Sequence, residues 1–316
     1  MDKDSKIYVA GHSGMVGSAI KRKLEDEGYN NLILKNHSDL DLENQKTTKE
    51  FFLKEKPDYV FAAAAKVGGI HANNTCRADF IYKNLQIQNN IIYFSWKTNV
   101  KKLLFLASNC IYPKNCAQPM KEEYLLSSFP EPTNEPYAIA KIAGIKMCES
   151  YNRQYGTNFI SAVPANLFGQ NDNYDPLDSH FIAGLIRKFH EAKINGKNKV
   201  VLWGTGNPRR EVMFVDDLAE ACIFLMQNYN SSEIINVGTG KDKTIMEFAE
   251  LIKETIGFSG NITFDNSKPD GIARKLLDIN KINNLGWKAK TDLKKGLKLA
   301  YEWFLENVAE KNKRHL

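Results

Sequence analysis

Four side chains that can exchange protons or bind a polar oxygen stand in two short segments of this sequence. Ser108 and Cys110 end the apolar run "LLFLASNC" (103–110), and Tyr137 and Lys141 stand four residues apart in "EPYAIAKIAGIK" (135–146). A spacing of four places both side chains on the same face of a helix. Because an ammonium group favours the phenolate, such a pair can donate or accept a proton near neutral pH.

Cys110 admits three interpretations from the residues alone. It is a packed core thiol, a thiol nucleophile, or an acid–base group that acts on a molecule that Ser108 also contacts. The cysteines are odd in number, scattered and without a CxxC pair; they stand at positions 76, 110, 116, 148 and 222. We therefore expect neither a disulfide framework nor a metal site.

The elements that position these residues follow a regular order in the first half of the chain. Short apolar runs alternate with longer amphipathic ones, from "KIYVA" (6–10) to "FISAVPANLFG" (159–169). This order predicts an α/β fold with a Rossmann-type doubly wound parallel sheet. Ligands of such sheets bind at the carboxyl ends of the strands, and Ser108 ends the strand that immediately precedes the helix of Tyr137 and Lys141.

The elements become shorter and more mixed after about residue 170. We therefore predict a smaller C-terminal α/β lobe beside the sheet, and two domains. The domain that contains the parallel sheet is expected over 1–168 and about 212–236, and the second lobe over about 169–211 and 237–316.

A glycine-rich turn follows the first predicted strand. The segment "IYVAGHSGMVGSAIKRKL" (7–24) places Gly11, Gly14 and Gly17 between that strand and a helix. Glycines let the chain turn and let the backbone approach a pyrophosphate, while the helix N terminus offers amide groups and partial positive charge. The spacing is GxxGxxG rather than GxGxxG, but its position at the first strand-to-helix turn predicts a dinucleotide site.

The choice between NAD and NADP depends on the residues after the second strand. A carboxylate there would bind the ribose 2′-hydroxyl of NAD, but no acidic residue precedes Asp39 in "LILKNHSDLDL" (32–42). Lys35 and His37 would instead suit a 2′-phosphate, so NADP is favoured. Asp41 and Leu42 are expected near the adenine.

Composition and charge limit the classes of partner that we expect. The chain has 43 Lys and Arg residues against 37 Asp and Glu residues, a net charge of +6, and the basic residues are spread along it apart from the tail "EKNKRHL" (310–316). Without a basic stripe or recognition module we expect no nucleic acid, while a basic surface suits a phosphate-rich small substrate. No apolar run approaches the roughly 18 residues of a membrane span, and "MDKDSK" (1–6) lacks the apolar stretch of a signal peptide, so we expect no membrane partner and a cytoplasmic location.

Five segments together resemble the extended short-chain dehydrogenase/reductase family and, within it, the GDP-L-fucose synthases. They are "AAAAKVGGIHANNTCRADFIYKN" (62–84), "LLFLASNCIYP" (103–113), "EPTNEPYAIAKIAGIKMCESYNRQYG" (131–156), "INVGTG" (235–240) and "SKPDGIARKLLD" (267–278). The resemblance implies an NADPH-dependent oxidoreductase that converts a GDP-4-keto-6-deoxymannose-type sugar to GDP-L-fucose by C3 and C5 epimerisation and C4 ketone reduction. Sugar dehydratases of the wider family carry acidic residues just after the serine or threonine, and Asn109 and Cys110 are not acidic.

The resemblance also implies roles for single residues. Ser108, Tyr137 and Lys141 would bind and protonate the C4 oxygen, while Cys110 and His180 would exchange protons at the carbons beside the ketone. Epimerisation there needs a base, an acid and stabilisation of the enolate oxygen. A thiol with an ordinary pKa of about 8.5 needs a neighbouring positive charge to act as a base at neutral pH, and protonated His180 is expected to supply it.

Binding residues follow from the same matches. Those expected around NADP(H) are Gly11, His12, Ser13, Gly14, Met15, Val16, Gly17, Lys35, His37, Asp41, Leu42, Ala63, Leu106, Ala107, Lys141, Pro164, Ala165, Asn166, Leu167 and His180. Those expected around the GDP-linked sugar are Ser108, Asn109, Asn166, Lys188, Trp203, Arg210 and Asp270. Trp203 is equally compatible with a core position, and Lys188 with a solvated helix position. Arg210 is the firmest of this set, because a diphosphate needs a buried cation.

Two departures leave alternatives open. Fucose synthases often have a second serine where this chain has Asn109, and an arginine, which would contact the 2′-phosphate, where it has Ser13. One alternative is a C4 reductase that acts on a related GDP-4-keto sugar, for example a heptose, epimerised by another enzyme. The other is a non-catalytic NADP-binding sensor or scaffold, which would not need Ser108, Tyr137 and Lys141. By resemblance, the long helices predicted at 79–98 and 136–155 form a four-helix homodimer interface.

Overall fold

The computed structural model describes residues 1–268 and 270–310. Its first part alternates strands and helices in the order β1 (Ile7–Ala10), α1 (Met15–Asp26), β2 (Leu32–Ile33), α2 (Gln45–Glu55), β3 (Tyr59–Ala62), α3 (Ile70–Thr75), α4 (Arg77–Lys97), β4 (Lys102–Leu106), α5 (Glu135–Tyr155) and β5 (Phe159–Pro164). The later elements are β6 (Asn166–Phe168), α6 (Phe181–Ile194), β7 (Lys199–Trp203), β8 (Arg209–Phe214), α7 (Val215–Asn228), β9 (Ile235–Val237), β10 (Asp242–Thr244), α8 (Ile245–Ile256), β11 (Asn261–Asp265), β12 (Arg274–Lys275), α9 (Asn280–Asn284) and α10 (Leu293–Phe304).

The largest sheet contains six parallel strands in the order β2-β1-β3-β4-β5-β9. β2 lies on one side of β1 and β3 on the other, so the direction of the crossovers reverses at β1. Such a reversal opens a crevice at the carboxyl ends of the strands, where doubly wound sheets bind their ligands. The predicted α/β fold with a Rossmann-type sheet is confirmed.

Burial explains why these segments form this sheet. Every residue of β1, β4 and β5 is buried, as is typical of parallel strands covered on both faces. α1 packs against α7, while α4 packs between α2 and α5, so two helix layers enclose the sheet. The carboxyl ends of the strands are the part of the sheet that this enclosure leaves for a ligand.

A second hydrophobic core lies among α6, α8 and α10, where Phe189, Phe248 and Phe304 are almost fully buried. β8 forms the centre of a smaller sheet in which β10 and β12 flank it and β6 also pairs with it, and β7 pairs with β11. The two-domain division with its boundaries near 168, 212 and 236 stays a prediction. Residues 311–316, which end the predicted second lobe and contain most of the basic tail, lie outside the described residues.

The long helices begin and end close to their predicted bounds. α4 corresponds to the helix predicted at 79–98, and α5 to the helix predicted at 136–155. Each end lies within two residues of its predicted position. In the described ranges 1–268 and 270–310, no helix has the length and apolar character needed to cross a membrane. The same ranges contain no group of three or more His, Cys, Asp or Glu side chains placed to hold a metal ion.

Candidate active site

The end of β4 and the start of α5 bring three of the predicted catalytic residues together. Ser108 follows β4 and begins a short 3₁₀ turn (Asn109–Ile111), in which the backbone N–H of Cys110 donates to Ser108 Oγ at 3.4 Å. The Nζ atom of Lys141 donates to the carbonyl oxygen of Leu106 at 2.9 Å. This bond fixes α5 against the end of β4, so the lysine lies beside the strand that presents the serine.

Tyr137 lies one helical turn before Lys141. The lysine Nζ is 5.7 Å from the centroid of the Tyr137 ring, and the same ring meets the ring of Phe80 edge-on at 6.3 Å. Lys141 is only 4% exposed, and burial lowers its pKa to about 8. The pair therefore forms a single unit on one face of α5, as the spacing of four predicts.

The protonation of Tyr137 differs from the sequence-based expectation. Burial first, and the neighbouring Cys110 second, raise the pKa of this phenol above its ordinary value. The ammonium was expected to favour the phenolate, but loss of water around the ring outweighs it because burial disfavours the charged form. Tyr137 therefore keeps its proton at neutral pH and can act as an acid.

Cys110 is a free thiol, 6% exposed, in the same turn. Burial raises its pKa, while Lys275, a hydrogen bond from Ser108, and Lys141, in that order, lower it. The positive charges that favour the thiolate thus come from two lysines. The thiol is packed, as the first interpretation of the sequence has it, but it is packed among groups that act on its protonation.

His180 precedes the first residue of α6 and is exposed. Although part of the residue is exposed to solvent, the protein atoms around its imidazole ring lower its pKa below the ordinary value by desolvation. His180 is therefore mostly neutral at pH 7 and does not supply the positive charge expected of it beside Cys110. The loop before it is held in place, because the N–H of Gly69 donates to the carbonyl oxygen of Asp178 at 3.0 Å.

The glycine turn has the shape that a dinucleotide needs. Gly11 adopts a φ of +79°, a left-handed conformation, and a Cβ atom there would lie 2.8 Å from the Cα of Ala64. A Cβ atom on Gly17 would lie 2.0 Å from the carbonyl oxygen of Gly11. Within the described residues, the buried Nδ1 of His12 has no hydrogen-bond partner. A tight turn, a helix N terminus at Gly14 and an unsatisfied polar atom fit a bound pyrophosphate.

Two alanine variants separate packing from cofactor binding in this turn. Gly17→Ala should lower the free energy of unfolding without cofactor by about 1–3 kcal/mol, because its methyl group must displace backbone. Gly14→Ala meets only the carbonyl oxygen of Gly11 at an ordinary 3.5 Å, so the fold should tolerate it while the methyl group occupies the approach to the pyrophosphate. Thermal unfolding and NADPH titration would check both, and tight NADPH binding by Gly14→Ala would contradict this placement.

His37, predicted for the 2′-phosphate, lies close to Asp41, predicted near the adenine. His37 Nδ1 lies 3.9 Å from Asp41 Oδ1, and that oxygen also accepts the N–H of Glu43 at 2.9 Å. Leu42 is buried, and its carbonyl oxygen accepts from Asn90 at 2.8 Å. Lys35 lies in the loop after β2. The 2′-phosphate contact of Lys35 and His37 stays a prediction.

The remaining predicted cofactor residues lie at carboxyl ends of strands. They are Ala63 after β3, Leu106 and Ala107 at the end of β4, Pro164 and Ala165 at the end of β5, and Asn166 and Leu167 in β6; His12, Ser13, Met15 and Val16 belong to the glycine turn and the start of α1. Asn166 Oδ1 accepts from Asn109 Nδ2 at 3.5 Å, and Asn166 Nδ2 donates to the carbonyl oxygen of Glu211 at 3.1 Å. These asparagines connect the turn after β4 to β8.

The residues predicted for the nucleotide lie on or beside β7 and β8. Trp203 ends β7 and is 71% exposed, so the core interpretation is wrong for this ring. Lys188 Nζ donates to the carbonyl oxygen of Val201 at 2.7 Å, and burial lowers its pKa. Arg210 donates to the carbonyl oxygen of Ile272 at 2.6 Å, and burial lowers its pKa while Asp270 raises it. Cations and a flat exposed ring therefore share this region.

Asp270 binds a residue from a distant part of the chain that the sequence did not indicate. Its two carboxylate oxygens accept from the backbone N–H of Thr205 at 2.9 Å and from the hydroxyl of Thr205 at 2.7 Å. These bonds hold the loop that follows Trp203.

Lys275 and Glu211 are the residues that the sequence analysis missed. Lys275 lies in β12 and lines a small cavity together with Cys110, Asn109 and Glu131. Glu211 is 1% exposed and anchors three backbone N–H groups. Lys275 stands in a two-residue strand, and Glu211 follows two arginines in β8; neither position carries a pattern that would have revealed its role.

Comparisons with known proteins agree with this geometry. The model of the NAD dependent epimerase/dehydratase family matches residues 7–238. The chain is 57% identical to the putative GDP-L-fucose synthase 2 of Arabidopsis thaliana, over 98% of this chain and 95% of that protein. Among solved structures, a GDP-L-fucose synthetase from Naegleria fowleri bound to NADP superimposes with a TM-score of 0.91 at 30% identity, covering 98% of this chain and 96% of that one. A GDP-6-OMe-4-keto-L-xylo-heptose reductase from C. jejuni superimposes with a TM-score of 0.92 at 43% identity, covering 97% and 99%.

Proposed function

Since the chain belongs to the NAD dependent epimerase/dehydratase family, we propose that it converts GDP-4-keto-6-deoxymannose to GDP-L-fucose by C3 and C5 epimerisation and NADPH-dependent C4 reduction. The observation that carries the proposal is the position of Cys110 in one turn with Ser108 and beside Tyr137 and Lys141. A reductase needs Ser108, Tyr137 and Lys141, and an epimerase needs a further acid–base group next to them. The name of the Arabidopsis relative supports the choice of substrate.

Reduction of the ketone needs an acid at its oxygen. NADPH, when bound, supplies the hydride that C4 receives. Tyr137 donates its proton to the C4 oxygen, which becomes a hydroxyl, and Ser108 donates a hydrogen bond to the same oxygen. The raised pKa of Tyr137 keeps the proton available, and Lys141 stabilises the phenolate that remains.

Epimerisation uses the acidity of the protons beside the same ketone. Cys110 as a thiolate takes the proton from C3 or C5, and the electron pair moves to the C4 oxygen, where Ser108 and Tyr137 stabilise the enolate. The protonated fraction of His180, which is the minority at neutral pH, returns a proton to the opposite face of that carbon. Its lowered pKa makes the imidazolium a stronger acid, and solvent restores the two protonation states.

The binding residues belong to the same proposal. The glycine turn would hold the pyrophosphate of NADP, Lys35 and His37 its 2′-phosphate, and Lys188, Trp203 and Arg210 the GDP part of the substrate. Cations pair well with phosphate oxygens. Trp203 is largely exposed and its ring is accessible for stacking, with Lys268 Nζ 5.9 Å from the ring centroid. Asp270 would act through the loop of Thr205.

A homodimer and a cytoplasmic location complete the proposal. α4 and α5 pack against each other along their length, and their outer surface carries the exposed side chain of Ile139 beside Ile81. A second copy of this helix pair would cover these apolar side chains and form the four-helix interface.

The pKa of Lys141 sets the alkaline limit of the reductase. Because burial lowers this pKa to about 8, the ammonium that stabilises the Tyr137 phenolate is present below pH 8 and is lost above it. We expect the maximal rate of ketone reduction to fall as the pH rises through about 8. Initial rates between pH 6 and 9.5 with saturating substrates would check this, and a rate that stays level to pH 9.5 would exclude this role of Lys141.

A C4 reductase of a GDP-linked 4-keto heptose is the second candidate. The heptose reductase from C. jejuni superimposes closely, and Asn109 stands in the turn beside Cys110. Incubation with NADPH and either GDP-4-keto-6-deoxymannose or a GDP-4-keto heptose, with NMR of the product, separates the two. GDP-L-fucose from the first substrate supports the main proposal, whereas turnover of the heptose alone supports the second.

A further inference from the structure

A second lysine lies beside Cys110, on a distant part of the chain. Lys275 and Cys110 line the same small cavity, together with Asn109, Glu131 and Lys114. Within residues 1–268 and 270–310, the Lys275 ammonium has neither a hydrogen-bond acceptor nor an ion-pair partner, while Lys114 lies 3.9 Å from Glu131. Among those residues, no direct ion pair therefore neutralises the positive charge of Lys275.

The strand that carries Lys275 is fixed by bonds to the two residues that follow it. The N–H of Leu277 donates to Glu211 Oε2 at 2.8 Å, and the N–H of Leu276 donates to Gln118 Oε1 at 2.9 Å. β12 also pairs with β8 in a register that sets Lys275 opposite Arg210. Burial of a carboxylate costs free energy unless hydrogen bonds satisfy it. The three backbone N–H donors satisfy Glu211, and the carboxylate in turn fixes the backbone that carries them.

Charged and titratable groups surround this thiol and this amine from several elements. The charges of Lys275 and Lys141 favour the thiolate of Cys110. A thiolate at Cys110 in turn favours the ammonium of Lys141 and disfavours the phenolate of Tyr137 on α5. Burial lowers the pKa of Lys275 and Arg210 lowers it further, while Cys110, Glu131 and Cys116 raise it by favouring the ammonium. Lys141 is already bonded to the carbonyl oxygen of Leu106 and serves Tyr137.

We propose that Lys275 is a positioning residue for epimerisation, whose ammonium holds the thiolate of Cys110 ready to take the proton beside the ketone. This inference rests on the function proposed above. It assigns the two lysines to different halves of the reaction, Lys141 to Tyr137 and reduction, Lys275 to Cys110 and epimerisation. It also replaces His180 as the source of the charge that a buried thiol needs.

Site-resolved alkylation of Cys110 tests the proposal without relying on turnover. The rate of modification by iodoacetamide would be followed by mass spectrometry from pH 6 to 10 in wild type, Lys275→Met and Lys275→Arg. In Lys275→Met, which lacks the charge, the pH at which alkylation of Cys110 reaches half of its maximal rate should rise by about one unit or more. In Lys275→Arg, which keeps a positive charge, this midpoint should stay close to that of wild type. Lys114→Met, which removes a lysine from the same cavity, should leave the midpoint in place.

The same variants separate this role from a role of Lys275 in substrate binding. Lys275→Met should slow deuterium exchange into the substrate about tenfold at pH 7, in step with the lost thiolate, while reduction of a pre-epimerised ketone continues. An unchanged Cys110 midpoint in folded Lys275→Met, or in Lys275→Gln if the methionine variant does not fold, overturns the inference. A raised KM for the GDP-sugar with an unchanged midpoint would also overturn it, since it assigns Lys275 to substrate binding. No exchange by wild type, by contrast, would count against the proposed function and leave the alkylation result to decide on Lys275.

Discussion

Tyr137→Phe should lower the rate of NADPH-dependent ketone reduction by about 10²–10⁴-fold, because a positioned general acid contributes that much. The variant loses one hydroxyl group and keeps the ring that packs against Phe80. Lys141 keeps its bond to the carbonyl oxygen of Leu106, so the fold and the NADPH affinity should change little. The effect should therefore appear in kcat rather than in the binding of either substrate.

Stopped-flow measurement of NADPH oxidation gives this rate directly. Tyr124→Phe removes a hydroxyl group outside the site, from a short 3₁₀ turn, and should reduce the ketone at the wild-type rate. A reduction rate in Tyr137→Phe within tenfold of wild type would show that another group protonates the C4 oxygen.

Cys110→Ser should remove epimerisation and spare reduction. Serine has nearly the same shape but is a far weaker acid, so no anion forms there at neutral pH and the loss of a positioned base costs about 10²–10⁴ in rate. Ser108, Tyr137 and Lys141 keep their places, so an already epimerised 4-ketone should still be reduced. NMR of C3 and C5 proton exchange and NADPH oxidation with the two ketones measure the halves separately.

Cys116→Ser is the matched control for this variant. Cys116 is also free, partly buried and faces Lys275, but it has no place in the proposed chemistry. It should exchange and reduce as wild type does. If Cys110→Ser still exchanged protons at C3 and C5, the base would have to be a different residue.

The sheet and much of the site follow from the sequence for a physical reason. Strands buried on both faces must be continuous apolar runs, so "LLFLAS" marks β4 and shows where Ser108 leaves it. The spacing of Tyr137 and Lys141 survives folding because a helix preserves it. The family resemblance is confirmed by the match over residues 7–238.

Other features depend on burial and on contacts between distant segments. The exposure of Trp203 and the raised pKa of Tyr137 arise from how completely each ring is surrounded, which a local pattern does not encode. Lys275 and Cys110 come to line one cavity because β12 pairs with β8 and because Gln118 and Glu211 bind the backbone that follows β12. A pairing of this kind has no signature in either segment alone.

Proton exchange in the absence of NADPH tests the central claim, that one site both epimerises and reduces, most directly. The protein would be incubated with GDP-4-keto-6-deoxymannose in deuterated water and the sugar analysed by NMR before NADPH is added. We predict deuterium at both C3 and C5, followed by formation of GDP-L-fucose on addition of NADPH. NADPH-dependent reduction of the same ketone with no deuterium at either carbon would contradict the account.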